Sequence, residues 1–268
     1  MQDLIINADD YAMDAGVDAA ILKLAETGAV TAASAMVLSP RWAEAACAAR
    51  DAPPISFGLH FDLTSPFAGA TSPAQGVSAL IVRAQAGLLD RAQLRRQADR
   101  QLQAFEKAFG GPPAFADGHQ HIHHLPAVRE VLLEALEDHY GREKERIGLR
   151  ICVARRWRGL KAAIIGRTGA NSFWRLALER GHPINSDFAG VYDFDANAGL
   201  PALWQAWAAN LHGPCPLIMC HVAVNNGESA DGDPIRPARF SEFAWLASEQ
   251  FQQFCQRSAL NPVRWPLA

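Results

Sequence analysis

The chain has no excess of basic charge and no long apolar run. Lys and Arg number 25 against 28 Asp and Glu, for a net charge of -3, which excludes a general basic surface for nucleic acid. No apolar stretch reaches the roughly 18 residues typical of a membrane span, so we expect none. The N-terminal segment MQDLIINADD has no basic region and turns acidic at once, which argues against a signal peptide.

Cysteines are few and scattered. The sequence has five, with no Cys-x-x-Cys pair, which argues against a thiolate zinc site and against a disulfide framework. We therefore expect reduced, mostly buried thiols in a cytoplasmic protein. These residues are Cys47, Cys152, Cys215, Cys220 and Cys255.

Strand-like and helix-like stretches alternate from the first residues onward. Residues 4–6 and 216–220 are apolar runs typical of buried strands, and residues 14–26 have helical spacing and end near Gly28. The alternating order predicts a parallel α/β sheet with right-handed crossovers, in one domain spanning 1–268. Residues 65–89 are irregular, and a loop of this length is usually functional or mobile. The patterns further predict a last long helix over 241–257, a terminal strand at 262–265 and a possible strand or turn at 191–194.

A run rich in histidine stands at residues 117–124, where four of the nine histidines fall within six positions. Read as a strand, it places His119, His121 and His123 on one face. A row of imidazoles at a strand end suits a metal or a proton-transfer site. A polar loop that is merely rich in histidine is the alternative interpretation of this segment.

Four predicted strands end in residues that can carry chemistry. Asp9 and Asp10 follow the first strand, His60 lies near the end of the third, His119 follows the fourth, and His221 follows a late one. Each has an ordinary explanation by itself, such as a helix cap for the aspartates or a hydrogen-bonded core histidine. Because the carboxyl ends of parallel strands point the same way, together they indicate one shared site.

These segments resemble the signature segments of the YdjC family, which comprises chitooligosaccharide and related carbohydrate deacetylases. The similarity extends through most of the chain, and the motifs occur in the same order and spacing. The resemblance implies a TIM-barrel-like (β/α) barrel of parallel strands, one divalent metal ion and removal of acetyl groups from N-acetylated sugars. The matching segments are Asn7-Ala8-Asp9-Asp10-Tyr11, Gly58-Leu59-His60, Asp117-Gly118-His119-Gln120-His121-Ile122-His123 and Met219-Cys220-His221.

Carried over residue by residue, the resemblance assigns roles to five positions. Asp10, His60 and His119 are the implied metal ligands. Asp9 is the implied general base, and His221 is a candidate general acid. Three protein ligands leave coordination positions open for water and substrate.

The chain departs from the family pattern at two places. Tyr11 and Ala12 follow the aspartates where the family usually has Phe-Gly, and Val222 follows Cys-His where it usually has Pro. These departures concern the loop beside the metal and the geometry of His221. The variable segment 65–89 is expected to shape the sugar pocket, so the choice of substrate does not follow from the resemblance.

The expected reaction is attack of metal-bound water on the acetamide, a carbon–nitrogen bond other than a peptide bond. Asp9 is expected to take the proton from that water, and His221 or a histidine of the pair His121 and His123 to protonate the departing amine. That pair could instead bind sugar hydroxyls or orient the ligands. Arg150 is expected to contact substrate or a carboxylate, with a surface salt bridge as the alternative.

Two other functions fit the same residues. One is another metal-dependent barrel amidohydrolase or phosphoesterase, which would commonly hold two metals. The other is a non-catalytic sugar-binding homologue. Magnesium or zinc is the expected metal, an N-acetylated carbohydrate is the expected partner, and a homodimer is expected only from base rates.

Overall fold

The computed structural model describes residues 1–74, 76–141, 147–226 and 232–265 of the chain. Within them, all named strands belong to one parallel sheet in the order β5-β4-β3-β2-β1-β7-β6, with β8 pairing β1 off this path. The strands are β1 (Gln2–Tyr11), β2 (Ala32–Ala35), β3 (Ser56–Phe61), β4 (Phe115–Gly118), β5 (Gly148–Leu149), β6 (Phe188–Ala189), β7 (Leu217–Cys220) and β8 (Leu260–Pro262).

The sheet curls until its two edges approach one another. Leu149 of β5 forms a parallel bridge with Ile184, and its N–H donates to the carbonyl of Pro183 at 2.8 Å. Residues 183 and 184 lie shortly before β6, the strand at the opposite edge. The result is the predicted (β/α) barrel-like fold of parallel strands. The predicted domain end at residue 268 lies outside the described residues.

Helices connect most successive strands and cover the outer face of the sheet. They are α1 (Ala15–Glu26), α2 (Trp42–Arg50), α3 (Gly76–Gln85), α4 (Arg91–Phe109), α5 (Val128–Tyr140), α6 (Leu160–Ile165), α7 (Asn171–Glu179), α8 (Leu200–Ala208), α9 (Arg236–Leu246) and α10 (Glu249–Arg257). A π-helical turn over Gly166–Ala170 joins α6 to α7. None of the helices among the described residues is both long enough and apolar enough to cross a bilayer.

The helix ends follow simple rules of capping. The Asp14 carboxylate accepts hydrogen bonds from the Gly16 and Val17 amides at the start of α1. Asp90 caps α4 in the same way, and each cap satisfies amides that have no partner within the helix. Helix α4 ends at Gly110, whose φ of 88° is the left-handed conformation that glycine adopts readily.

Four predicted elements differ in the structure. The segment 65–89 is not irregular throughout, because it contains α3. The single helix expected over 241–257 is two helices, α9 and α10, separated at residues 247–248. The terminal strand expected at 262–265 is β8, which spans Leu260–Pro262. The possible strand or turn at 191–194 is not a strand, and β6 lies just before it.

The barrel interior changes character along its axis. Odd-numbered residues of β1 point inward, so Ile5 packs with Phe115, Leu217 and Trp265 in an apolar cluster, while Leu4 and Ile6 face the helices. Further along β1 to β4 the inward positions become polar, with Asn7, Ser34, His60 and Asp117 linked by hydrogen bonds. The barrel is therefore apolar at the amino ends of its strands and polar at their carboxyl ends, where barrel sites form.

Candidate active site

A cavity of about 920 Å³ opens at the carboxyl ends of the strands. Its walls are largely apolar, with a few convergent polar groups, as is typical of small-molecule sites. Phe67 and Val77 place the segment 65–89 in the wall. The polar lining includes Asp9, Asp10, His60, His119, His121 and His221.

The backbone of β1 is irregular at Asp9 and Asp10, and this irregularity sets the directions of their two side chains. The pairing of β1 with β2 shifts register between Ala8 and Tyr11, and Asp10 has a φ of 71°. A positive φ costs a non-glycine residue on the order of 1 kcal/mol, and such strain concentrates at functional sites. In a regular strand, adjacent side chains point to opposite faces. The irregular backbone lets both carboxylates reach the site, where both are buried.

Asp10 is the meeting point of two histidines. Its Oδ1 lies 3.4 Å from His60 Nε2 and 3.0 Å from His119 Nδ1. One donor atom from each of the three residues falls within 4.8 Å of the others. One carboxylate oxygen and two imidazole nitrogens form a donor set that Zn²⁺ accepts well and that Mg²⁺ accepts less readily. The donor set therefore fits a single divalent ion.

A second carboxylate fixes the orientation of His60. His60 Nδ1–H donates to Asp117 Oδ1 at 2.5 Å, which directs Nε2 toward Asp10. Burial opposes the charged imidazole, but Asp117, Asp10 and Asp9 together raise the pKa of His60 to about 10. A carboxylate behind a ligating histidine is the usual support of a metal site, because it sets the tautomer.

Asp9 is held by a different set of partners. Its Oδ1 accepts hydrogen bonds from Arg150 Nη1 at 2.6 Å and from Asn7 Nδ2 at 2.8 Å. Burial opposes ionisation, but the Arg150 guanidinium, aided by His60 and His221, holds the pKa of Asp9 well below its usual range. Asp9 is therefore an ionised carboxylate beside the candidate metal ligands and is not part of that donor set.

Arg150 corrects one prediction. It is fully buried, it also approaches Asp117, with Nε 3.2 Å from Oδ2, and it does not line the cavity. Of the alternatives, the carboxylate partner is therefore the one that its position supports, and the predicted substrate contact is not. Its charge compensates two buried carboxylates that would otherwise be costly to keep ionised.

His221 lines the same cavity as the ligands. Its Nε2 is 3.9 Å from Asp9 Oδ2, and its backbone N–H donates to Glu242 Oε2 at 3.1 Å. Burial lowers the pKa of His221 to about 4, although Asp9 and Asp10 oppose this. His221 is thus close enough to Asp9 to act in the same reaction, and its role as general acid remains a prediction.

The histidine run is not a strand. Residues His119–His124 form a tight helical turn, and Gln120 and His121 have φ values of 54° and 61°. This left-handed pair turns the chain sharply after β4. His119 and His121 consequently face the cavity, whereas His123 and His124 enter the interior and are buried.

His123 therefore corrects a second prediction. It is fully buried and outside the cavity wall, and its Nε2–H donates to the carbonyl of Arg150 at 2.8 Å. It cannot reach a sugar in the cavity without a rearrangement of the fold. His121 does line the cavity, and substrate contact by this member of the pair stays a prediction.

A second group of potential ligands lies beneath the first. His123, His124 and Cys152 are all buried and offer donor atoms within 4.8 Å of one another. The buried guanidinium of Arg150 helps to lower the pKa of both histidines. A cation beside that fixed positive charge would be repelled, so this group is a poor metal site.

Several residues of the site were not found by reasoning from the sequence. Asp117 precedes His119 in the same motif, and its inward position on β4 follows from strand alternation. Arg239, whose Nη2 lies 2.7 Å from Asp10 Oδ2, and Glu242 come from α9. Their sequence signal is only that two charged residues fall on the buried face of a helix.

The sequence profile of the YdjC-like protein family matches residues 3–257. The chain belongs to the YdjC-like family. Chitooligosaccharide deacetylases from Enterobacter sp. (strain 638) and Serratia marcescens are 33% and 32% identical to it over 130 and 131 residues. Each match covers 47% of this chain and 52% of the relative, so the chain spans about half the length of these relatives.

A solved structure extends the likeness to the whole fold. A candidate cellobiose-phosphate cleavage protein from Enterococcus faecalis V583 superposes with a TM-score of 0.71. The match covers 98% of this chain and 97% of that protein, at 19% identity. At this identity the likeness concerns the fold alone.

Proposed function

We propose that this chain is a metal-dependent hydrolase that removes acetyl groups from N-acetylated sugars. The observation that carries the proposal is the triad Asp10, His60 and His119 with the ionised Asp9 beside it, in a cavity of about 920 Å³. The names of the deacetylase relatives support this substrate class.

Asp10, His60 and His119 are the residues that would hold the ion. When bound, a divalent ion supplies Lewis acidity toward the acetamide carbonyl and lowers the pKa of water, to about 7 in favourable zinc sites. Magnesium or zinc is the proposed metal. Arg239 and Asp117 serve the triad by fixing the Asp10 carboxylate and the His60 ring.

Asp9 is suited to accept the proton of the attacking water. Its Oδ1 already takes two hydrogen bonds, from Arg150 and Asn7, which leaves Oδ2 as the basic atom. Oδ2 faces His221 Nε2 at 3.9 Å. Asp9 passes this proton on to His221 Nε2. His221, whose lowered pKa makes its protonated ring a strong acid, then gives the proton to the amine nitrogen as the carbon–nitrogen bond breaks, so that acetate and a free amino sugar leave.

Release of acetate from N,N′-diacetylchitobiose and other N-acetylated sugars tests this proposal. The purified chain is assayed with added Mg²⁺, Mn²⁺, Co²⁺ or Zn²⁺, and the Asp9→Asn variant serves as control. We expect release by the wild type with at least one metal and none by the variant. No release from any sugar with any metal would favour the non-catalytic sugar-binding alternative.

The stoichiometry of bound metal distinguishes the remaining alternative. An amidohydrolase or phosphoesterase of the two-metal type would bind two ions per chain. We expect one ion, because the second ligand group lies beside Arg150. We further propose a cytoplasmic location, since all five cysteines are free thiols, and a homodimer remains a prediction.

A further inference from the structure

His121 presents one ring nitrogen to the interior of the protein and the other toward the cavity. Its Nδ1 lies 3.6 Å from Cys152 Sγ, within reach of a sulfur hydrogen bond. The rings of His121 and Phe188 also pack edge to face, with centroids 5.5 Å apart. The ring is therefore fixed from two sides in the cavity wall.

The thiol of Cys152 is the donor in this contact. Burial raises the pKa of Cys152 to about 12, so the sulfur carries a proton. The Arg150 side chain also bonds to the sulfur, but a guanidinium can only donate. The remaining nitrogen near the sulfur is His123 Nε2, at 3.9 Å. It carries a proton itself because it donates to the Arg150 carbonyl, and it cannot accept another. Among the described residues, His121 Nδ1 is thus the acceptor left for the S–H group.

A nitrogen that accepts a hydrogen bond carries no proton of its own. In a neutral imidazole the proton must then be on the other nitrogen, Nε2. No residue in the described part of the chain bonds to His121 Nε2, and this atom is not among the enclosed unpaired polar atoms. Its N–H is therefore available to a molecule in the cavity.

We propose that Cys152 is a positioning residue that fixes the tautomer of His121, so that His121 Nε2–H donates a hydrogen bond to an oxygen atom of the substrate. The identity of that substrate as an N-acetylated sugar rests on the proposed function. The tautomer does not, because it follows from the contacts of Cys152, His121 and His123 alone.

Nitrogen-15 NMR of the metal-free chain labelled at histidine tests the tautomer directly. The His121 signals are assigned with the His121→Asn variant. We expect the Nε2–H form in the wild type and in Cys152→Ser, whose hydroxyl also donates, and a mixture of both tautomers in Cys152→Ala. Cys215→Ala is the matched control, since it removes another buried thiol of the barrel and should leave the His121 signals unchanged. A wild-type ring protonated on Nδ1 would overturn the proposal.

Kinetics test the donor role. Loss of one positioned hydrogen bond should raise KM roughly 5- to 10-fold in Cys152→Ala and leave kcat within about twofold, with recovery in Cys152→Ser. His121→Gln places an amide N–H near the Nε2 position and should bind better than His121→Asn, which places it near Nδ1. A fall in kcat at unchanged KM, or equal KM for Gln and Asn, would contradict substrate binding by Nε2–H.

The two experiments separate failure of this inference from failure of the proposed function. If no N-acetylated sugar is hydrolysed, the deacetylase proposal fails, while the NMR spectra still decide the tautomer of His121. If acetate is released but the Nδ1–H tautomer is found, the positioning role of Cys152 fails and the deacetylase proposal stands.

Discussion

Two adjacent aspartates have different chemistry at this site because each has its own arginine. Asp9 accepts hydrogen bonds from Arg150 and Asn7, whereas Asp10 pairs with Arg239 and approaches both histidines. Both carboxylates are ionised, but only Asp10 lies where two imidazoles converge. The positive φ of Asp10 produces this separation, so the division of roles depends on one backbone conformation.

Replacing Asp9 by Asn should abolish turnover without loss of metal. The amide keeps the shape of the side chain but cannot accept a proton from water, and loss of a general base lowers rates by about 10²–10⁴. Acetate release and metal content are measured on the same preparation. Loss of metal together with activity would show that Asp9 is itself a ligand.

Replacing His119 by Ala should remove both metal and activity, because only two of the three ligands remain. Metal content after dialysis is the measurement. His139→Ala is the control, since His139 lies on α5, pairs with Asp99 of α4 and is not part of the cavity lining. Full retention of metal by His119→Ala would mean that the proposed ligand set is wrong.

On strand β3, Gly58 lies two residues before His60, and close packing requires a glycine at that position. A Cβ atom on Gly58 would lie 2.6 Å from ring atoms of Phe115 on β4. The two strands pair with His60 opposite Asp117. The close approach of the strands at Gly58 therefore helps to fix the position of the His60 imidazole relative to the Asp117 carboxylate. The motif Gly-Leu-His is therefore structural at its first position.

Gly58→Ala should consequently destabilise the fold and weaken metal binding. Overpacking of a dense interior costs typically 1–3 kcal/mol, and displacement of β3 would move His60 away from Asp10. Urea unfolding and metal affinity are measured against Gly111→Ala, where no atom lies near the added methyl group. Equal stability of the two variants would show that Phe115 yields without moving β3.

Elements with strong local patterns were predictable from the sequence, and those shaped by distant contacts were not. The strands β1 and β7 are apolar runs, and α4 has an apolar seam with an Asp cap and a terminal glycine. The strand β6 has only two residues and is defined by its pairing with β7. The strand predicted for the histidine run was wrong. Two residues with positive φ convert this segment into a turn, so its side chains do not alternate as they would in a strand.

The candidate site divides in the same way. Asp10 and His60 lie near the carboxyl ends of β1 and β3, and His119 directly follows β4, so their convergence could be predicted from the geometry of parallel sheets. Arg239 reaches Asp10 across 229 residues of sequence and comes from a helix, whose pattern indicates only which face is buried. The depth of Arg150 was likewise not predictable, since burial of a cation depends on the carboxylates assembled around it.

The barrel buries many titratable groups, so the stability of the fold depends on pH. Burial lowers the pKa of His121, His123, His124 and His221, the last two to about 3 and 4. In the unfolded chain these histidines bind protons below about pH 6.5. Their contribution to stability is therefore complete above that pH and is lost as pH falls toward the folded pKa values.

Other buried groups act in the opposite direction. Burial raises the pKa of Glu242 to about 8 and that of Asp18 to about 6, so each favours the folded state as pH falls toward its unfolded value. The pKa of His60, raised to about 10 against its own burial, adds stability that is lost as pH rises above 6.5. Below pH 6.5 the four histidines gain more protons on unfolding than Glu242 and Asp18 lose.

The metal-free chain should consequently be most stable near pH 6.5. Between pH 6 and 5 a net uptake of about two protons on unfolding lowers the free energy of unfolding by on the order of 3 kcal/mol per pH unit. Urea midpoints measured from pH 8 to 5 in the presence of a chelator test this, and His124→Asn should reduce the acid slope by about one proton. A stability that rises steadily toward pH 5 would mean that these histidines are already charged in the folded barrel, which the burial of all four alongside Arg150 argues against.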